Sequence, residues 1–199
     1  MALIHSREKH GIADRPLIVW EPRPPECNVE NLVAHLHACQ HVDVFSPNHL
    51  ELGYLVDGKK VMEEEFSRSA IEHRARQFIE SGIGRNGQGL MVVRCGEHGS
   101  LTLSSCQTLW APPFYERSSS KVIDPTGAGN AFLGGFTLTF QESGDPREAS
   151  VCGSIAASFA LEQLGLPRLT SASGSSRELW NGTDVTARLE EFRARFLRV

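Results

Sequence analysis

Residues 121–136 read KVIDPTGAGNAFLGGF, and the way this stretch folds decides the architecture. Lys121 to Asp124 has the pattern of a short strand. Pro125 and Gly127 interrupt it, and apolar residues then return at helical spacing from about Asn130 to Glu142. A chain that turns through glycines into a helix is a place where backbone N–H groups converge. Gly127 and Gly129 have no side chain to hold an anion away, and the helix start adds its dipole and its unpaired amides. Thr126 adds a hydroxyl, and Asp124 can hold a cation or shape the turn. On residues alone two readings fit equally well: a phosphate-binding loop, or a strand-to-helix turn that needs small residues for packing. Asn130 stands at the helix mouth, where a base would help a hydroxyl attack a bound phosphate. A carboxamide has no useful basicity there, but it can orient an alcohol by hydrogen bonding.

Outward from this stretch, strands and helices alternate. LIVWEP (17–22), VDVFSPN (42–48) and LMVVR (90–94) read as strands, and SLTL with QTLWA as a hairpin around Ser104 to Cys106. A helix is expected from Cys27 or Asn28 to Cys39, with Val29, Leu32, Val33 and Leu36 on its apolar face. A short helical piece stops at Gly58, and Glu63 to Ser81 carries Phe66, Ala70, Ile71, Phe78 and Ile79 at helical spacing. Further helices are expected over 146–164 and 184–196, the last with Val185, Leu189, Phe192 and Phe196 as its buried stripe, and a loop over 166–182. This alternation predicts an α/β domain with a largely parallel sheet.

Bulk composition narrows the function. The 199 residues suit one domain. With 40% hydrophobic and 22% charged residues and a formal charge of −4, nothing points to nucleic acid or an anionic membrane as partner. The basic residues near the end (Arg188, Arg193, Arg195, Arg198) interleave with acids as on a solvated helix face. Five cysteines form no CxxC pair, and MALIHSREKHGIADRP is not a secretory signal, so a reducing, cytoplasmic setting is expected. No apolar run approaches the roughly 20 residues that span a bilayer. Asn181-Gly182-Thr183 is a glycosylation sequon without a secretory route, read as coincidence.

Two motifs are set aside. GIGRNG (82–87) matches GxGxxG, but a helix precedes it and a strand follows, the reverse of what a dinucleotide site needs. His35, His37, Cys39 and His41 crowd one segment without an acidic or thiolate partner at metal spacing, and read as a solvated helix end.

Four motifs in order carry a resemblance to the pfkB, or ribokinase-like, carbohydrate kinases. DPTGAGNAFLGGF is similar to the family's D-T-x-G-A-G-D signature. Asn48-His49-Leu50-Glu51 resembles its N-x-x-E motif. MVVRCGEHGSLTL resembles its T-x-G-x-x-G turn with Gly96 and Gly99 kept, and SIAASFALEQLG its small-residue helix. The DPTG variant ending in Asn is most similar to a fungal, maintenance-of-killer-like subgroup. The likeness runs from about Leu17 to the C-terminus.

The resemblance implies a three-layer α/β/α sandwich with a mostly parallel sheet. It also implies one incomplete domain, lacking the N-terminal half and lid of such kinases. The implied activity is ATP- and Mg²⁺-dependent phosphoryl transfer to a sugar or related alcohol. Gly127, Ala128 and Gly129 would form the anion hole, with Asn130 in the base position. Thr126, Arg94, Gly96, Gly99 and Asp124 would line the nucleotide, and Asn48 and Glu51 would organise Mg²⁺ through water. Asp124 would also shape a neighbouring monovalent-cation site.

The departures from the family pattern are informative. Asn130 replaces an Asp, and losing a general base typically removes about 10²–10⁴ in rate, so transfer is expected to be weak or lost. On this reading Asn130→Asp restores transfer. Arg94 replaces a Thr, and either reaches a phosphate or points to solvent. Absence of the N-terminal half would leave a sheet edge uncovered and open to self-association. The competing class is a non-catalytic nucleotide-binding pseudokinase or protein-interaction module.

Overall fold

A computed structural model describes residues 6–7, 9–11, 15–59, 66–171 and 177–196. The chain divides into two units, one of residues Met1–Val93 and Leu103–Thr108, the other of Arg94–Thr102 and Leu109–Val199. The main sheet has five strands in sequence order: β1 (Val19–Trp20), β2 (Val44–Phe45), β3 (Leu90–Arg94), β4 (Ser100–Leu103) and β5 (Thr108–Ala111).

In the first unit β1, β2 and β3 run parallel, with Val19 opposite Val44 and Val44 opposite Leu90. β1 and β2 are shorter than the sequence predicts. Prolines at 22, 24 and 25 deny β1 further donors, and Pro47 with the start of the next helix ends β2. The connecting helices are α1 (Leu32–Cys39), α2 (His49–Asp57) and α3 (Arg68–Ser81). Residues 63–65 of the expected third helix lie outside the described residues, and Phe66 precedes its start. Phe45 and Phe78 stack at 5.1 Å in a core completed by Leu52, Leu55, Ile71 and Met91.

α1 corrects two expectations. Val33 is 76% exposed, whereas His35 and Cys39 are buried. The His35 ring stacks on Trp20 at 5.0 Å, and its Nδ1 lies 2.9 Å from the Asn31 carbonyl oxygen. An aromatic platform plus a local acceptor turns this polar face inward, so only His37 and His41 sit at a solvated helix end. Among the described residues no group of three or more His, Cys, Asp or Glu could hold a metal. The 82–87 glycine segment is a loop with a short 3₁₀ turn at Arg85–Gly87, between α3 and β3.

The second unit holds α4 (Ala128–Ser143), α5 (Pro146–Leu161), an antiparallel pair β6 (Leu179–Trp180) and β7 (Thr183–Asp184), and α6 (Val185–Phe196). β6 and a bridge from Leu169 to Trp180 order part of the segment expected to be loop. α4 and α5 cross closely because a side chain on Gly135 would meet the Cys152 carbonyl at 2.8 Å, and one on Gly153 the Phe132 carbonyl at 2.9 Å. The core joins Leu109, Phe114, Val151, Ile155, Phe159, Phe192 and Phe196.

Arg188 is buried rather than solvated, and Arg198 lies outside the described residues. The Arg188 guanidinium lies 3.9 Å from the Phe159 ring centre and donates to Ser158 Oγ at 3.0 Å and Glu162 Oε1 at 2.7 Å. Glu162 also accepts from the Tyr115 hydroxyl and, at 2.9 Å, from Asn181 Nδ2, which occupies the sequon amide internally. Among the described residues no helix is long and apolar enough to cross a membrane.

Candidate functional site

The glycine loop lies wholly in the second unit. Lys121 to Asp124 is not the expected strand: the N–H groups of Ile123 and Asp124 both donate to the Leu161 carbonyl, at 2.8 and 3.2 Å. The end of α5 therefore satisfies main-chain donors that a strand would have given to a neighbour. Asp124 Oδ1 then accepts the Thr126 N–H at 2.9 Å. That backbone bond, with one from the Thr126 hydroxyl, holds the Asp124 carboxyl below the usual carboxylate range, so it is anionic at neutral pH.

Gly127 follows with φ 81° and ψ −10°, the left-handed conformation that only glycine adopts readily. It caps the N-terminus of the 16-residue α4. Ala128 N–H closes a turn onto the Pro125 carbonyl at 3.2 Å, and Ala131 N–H reaches the Gly127 carbonyl at 2.9 Å as the helix begins. The N–H groups of Gly129 and Asn130 lie in the first turn, ahead of any carbonyl four residues back within the helix. No acidic side chain occupies that turn. Asn130 is exposed at its mouth.

Arg94, at the end of β3, is brought onto this loop. Its Nη1 lies 2.6 Å from the point a Cβ on Gly129 would occupy, an approach that only a hydrogen there permits. The guanidinium is thus not directed away into solvent. The following turn supports it: Cys95 N–H donates to the Gly99 carbonyl at 2.8 Å. A Cβ on Gly99 would come within 2.0 Å of the Ala111 carbonyl, so this glycine is required for packing against β5. Gly96 faces open space.

Asn48 and Glu51 belong to the first unit, where they form a capping box. Asn48 Oδ1 accepts the Glu51 N–H at 2.8 Å, and Glu51 Oε2 accepts the Asn48 N–H at 2.7 Å. Glu51 is buried. A carboxylate has about four lone-pair directions, so the box leaves capacity for water bound to a hard cation, and an oxygen donor set suits Mg²⁺. Cys27 is a neighbour that the sequence did not single out. Burial, with Glu51 and Glu26 nearby, pushes its thiol up to about 12.

The sequence profile described as "pfkB family carbohydrate kinase" matches residues 1–170. An uncharacterized protein of Schizosaccharomyces pombe is 36% identical, over 92% of this chain and 54% of its own length. Protein MAK32 of Saccharomyces cerevisiae is 31% identical over 92% and 50%, and a deoxyribokinase of Salmonella typhi 30% identical over 87% and 48%. The chain spans about half the length of these curated relatives. Among solved structures, ribokinase from Thermotoga maritima superposes with TM-score 0.58 at 21% identity, over 96% of this chain and 53% of that one. Arabidopsis thaliana ribokinase complexed with ribose and ATP gives TM-score 0.53 at 21% identity, over 66% and 38%. At such identities these structures speak for the fold alone, and the fold is ribokinase-like.

Proposed function

The chain belongs to the pfkB family of carbohydrate kinases, and from that premise we propose that it binds Mg-ATP at the 127–129 loop. We further infer that transfer of the γ-phosphate to a sugar or related alcohol is slow. The observation that carries this reading is the left-handed Gly127 opening a 16-residue helix with no acid in its first turn. Backbone amides and a helix dipole together favour the negative oxygens of a phosphate chain. Amides fixed in this way also stabilise charge on a transferring phosphoryl group without reorganising.

Asn130 would hydrogen-bond the acceptor hydroxyl and aim it at the phosphate, but would leave its proton to solvent. Asp124, already ionised, would attract a monovalent cation beside the loop. Asn48 and Glu51 would hold the waters of a magnesium ion, which when bound supplies charge neutralisation for the phosphate oxygens. The names deoxyribokinase and ribokinase among the relatives favour a pentose or similar polyol as acceptor. A second reading, a pseudokinase that binds nucleotide without transfer, is favoured by the same carboxamide at 130.

Calorimetric titration of the wild-type chain with Mg-ATP and Mg-ADP, followed by phosphoryl-transfer assays across a panel of pentoses and polyols, tests both. Binding with measurable transfer supports the kinase, and binding without transfer supports the pseudokinase. No heat from either nucleotide sinks the proposed site.

A further inference from the structure

We propose that a cavity between the 114–121 segment and α6 binds a small zwitterion, a free α-amino acid held by its carboxylate at Arg188 and Lys121 and by its ammonium at Glu191. The residues assigned above to nucleotide and magnesium do not line this cavity, so the proposal is independent of that reading.

The cavity holds about 260 Å³, below the range of drug-sized pockets, so its occupant is compact. Phe114 and Tyr115 wall it from the segment after β5, and α6 contributes Arg188 and, three residues on, Glu191. Arg188 is 6% exposed. A guanidinium carries five N–H groups. Among the described residues this one donates to two partners, Ser158 Oγ and Glu162 Oε1. The Phe159 and Phe114 rings, at 3.9 and 5.3 Å, are π contacts that consume no N–H. The remaining donors sit on a buried side chain that lines the cavity, where a donor without an acceptor is costly. A carboxylate can accept two such N–H bonds at once.

Charge selects what enters. Arg188 and Glu162 cancel as an ion pair at 2.7 Å. Tyr115 is a neutral phenol, pushed up to about 12 by burial and by its bond to Glu162. What is left lining the cavity is one cation, Lys121, and one anion, Glu191. Both are exposed, and among the described residues neither has an ion-pair partner. A simple anion would meet Lys121 but be repelled by Glu191, and a simple cation the reverse. A molecule with one charge of each sign satisfies both. The Lys121 backbone is anchored, its N–H donating to Ser119 Oγ at 3.3 Å. A neighbouring hollow of about 410 Å³ shares Phe114, Tyr115 and Glu191 and leaves room for a side chain.

The test is a thermal-shift screen of the full chain with the standard free amino acids, followed by calorimetry on those that raise the melting temperature. Each is compared with its methyl ester, which lacks the carboxylate, and its N-acetyl derivative, which lacks the ammonium. At least one amino acid should bind, and both of its derivatives should bind at least tenfold more weakly. Lys121→Gln and Glu191→Gln change exposed residues, and each should weaken the amino acid at least threefold while keeping the melting transition of the free protein. Mg-ADP titrated in the same preparation should not compete. A screen in which no amino acid binds overturns the proposal, as does one in which inorganic phosphate or propionate binds and amino acids do not. Ester or N-acetyl derivatives that bind within twofold of the parent overturn it, since charge is then not what is read. Affinity kept within twofold in both variants places the binding elsewhere and overturns it. Competition by Mg-ADP would give the cavity to the nucleotide and overturn it too, whereas failure of Mg-ADP to bind touches only the nucleotide reading. The derivatives need no substitution, so a variant that fails to fold leaves the test intact.

Discussion

Gly129→Ala separates stability from ligand binding, because the two are expected to move in opposite directions. Gly129 lies in the first turn of α4 and its φ is not positive, so alanine meets no backbone strain. Replacing a helical glycine by alanine stabilises by roughly 0.5–1 kcal/mol. For a chain of this length that is an increase in Tm of about 1–4 °C. The new methyl, however, would lie 2.6 Å from Arg94 Nη1, against 3.4 Å or more for ordinary contact. The obstacle is the far end of a flexible side chain, so the fold yields by moving the guanidinium about 0.8 Å or more. A charge moved from about 4 to about 5 Å from a doubly charged phosphate, at an effective dielectric near 20, loses about 1–2 kcal/mol, or about 5–30-fold in Kd. Differential scanning fluorimetry and Mg-ADP calorimetry on the same preparation measure both quantities. A raised Tm with weakened binding fits the account. A raised Tm with affinity unchanged within twofold refutes the reasoning about Arg94, and a fall of many degrees refutes the claim that the guanidinium can yield.

Other perturbations follow the same logic. Gly127→Ala places a Cβ in open space but at φ 81°, so backbone strain alone should destabilise by about 1–2 kcal/mol, visible as a lower urea midpoint. Asn48→Ala removes a helix cap and should cost about 1 kcal/mol. Glu51→Gln keeps an oxygen for the Asn48 N–H but removes the charge, so it should weaken the magnesium dependence of ADP binding; an unaltered dependence would make the pair purely structural. Asn130→Asp supplies a carboxylate at the helix mouth and should raise transfer at least tenfold; rates equal to wild type would mean that the carboxamide is not what limits transfer. Glu162 gives a pH prediction. Burial pushes its carboxyl up, but hydrogen bonds from Tyr115, Asn181 and Arg188 outweigh it and hold the net value below the usual range. A lowered folded-state pKa means that its stabilisation is full above the unfolded value, about 4.3, and is lost as pH falls through the folded one. Urea titrations between pH 6 and 3 should show a larger loss in wild type than in Glu162→Gln, and equal losses would contradict this role for Glu162.

Much of this was legible because glycine, proline and caps act locally. The turn at Gly127, the stop of α2 at Gly58 and the hairpin at 104–106 all follow from residues at the spot. What was not legible depends on partners far away in sequence. Val122 and Ile123 are β-branched and read as strand, yet the donors beside them are taken by the Leu161 carbonyl. His35 and Arg188 read as solvated because polar residues usually are; Trp20 receives one, and Glu162, Ser158 and Phe159 receive the other. The seat of the Arg94 guanidinium on Gly129 belongs to the same class. A strand end and a helix start must first be folded before the one can be seen to fit the other.

The most direct test of the central claim is a Mg-ADP titration of the unmodified chain beside Gly129→Asp, which sets a side chain and a negative charge into the loop. Wild type should bind, and the variant should lose at least tenfold in affinity while keeping its melting transition. Equal affinity in the two proteins, or no binding by either, would contradict a phosphate site at residues 127–129.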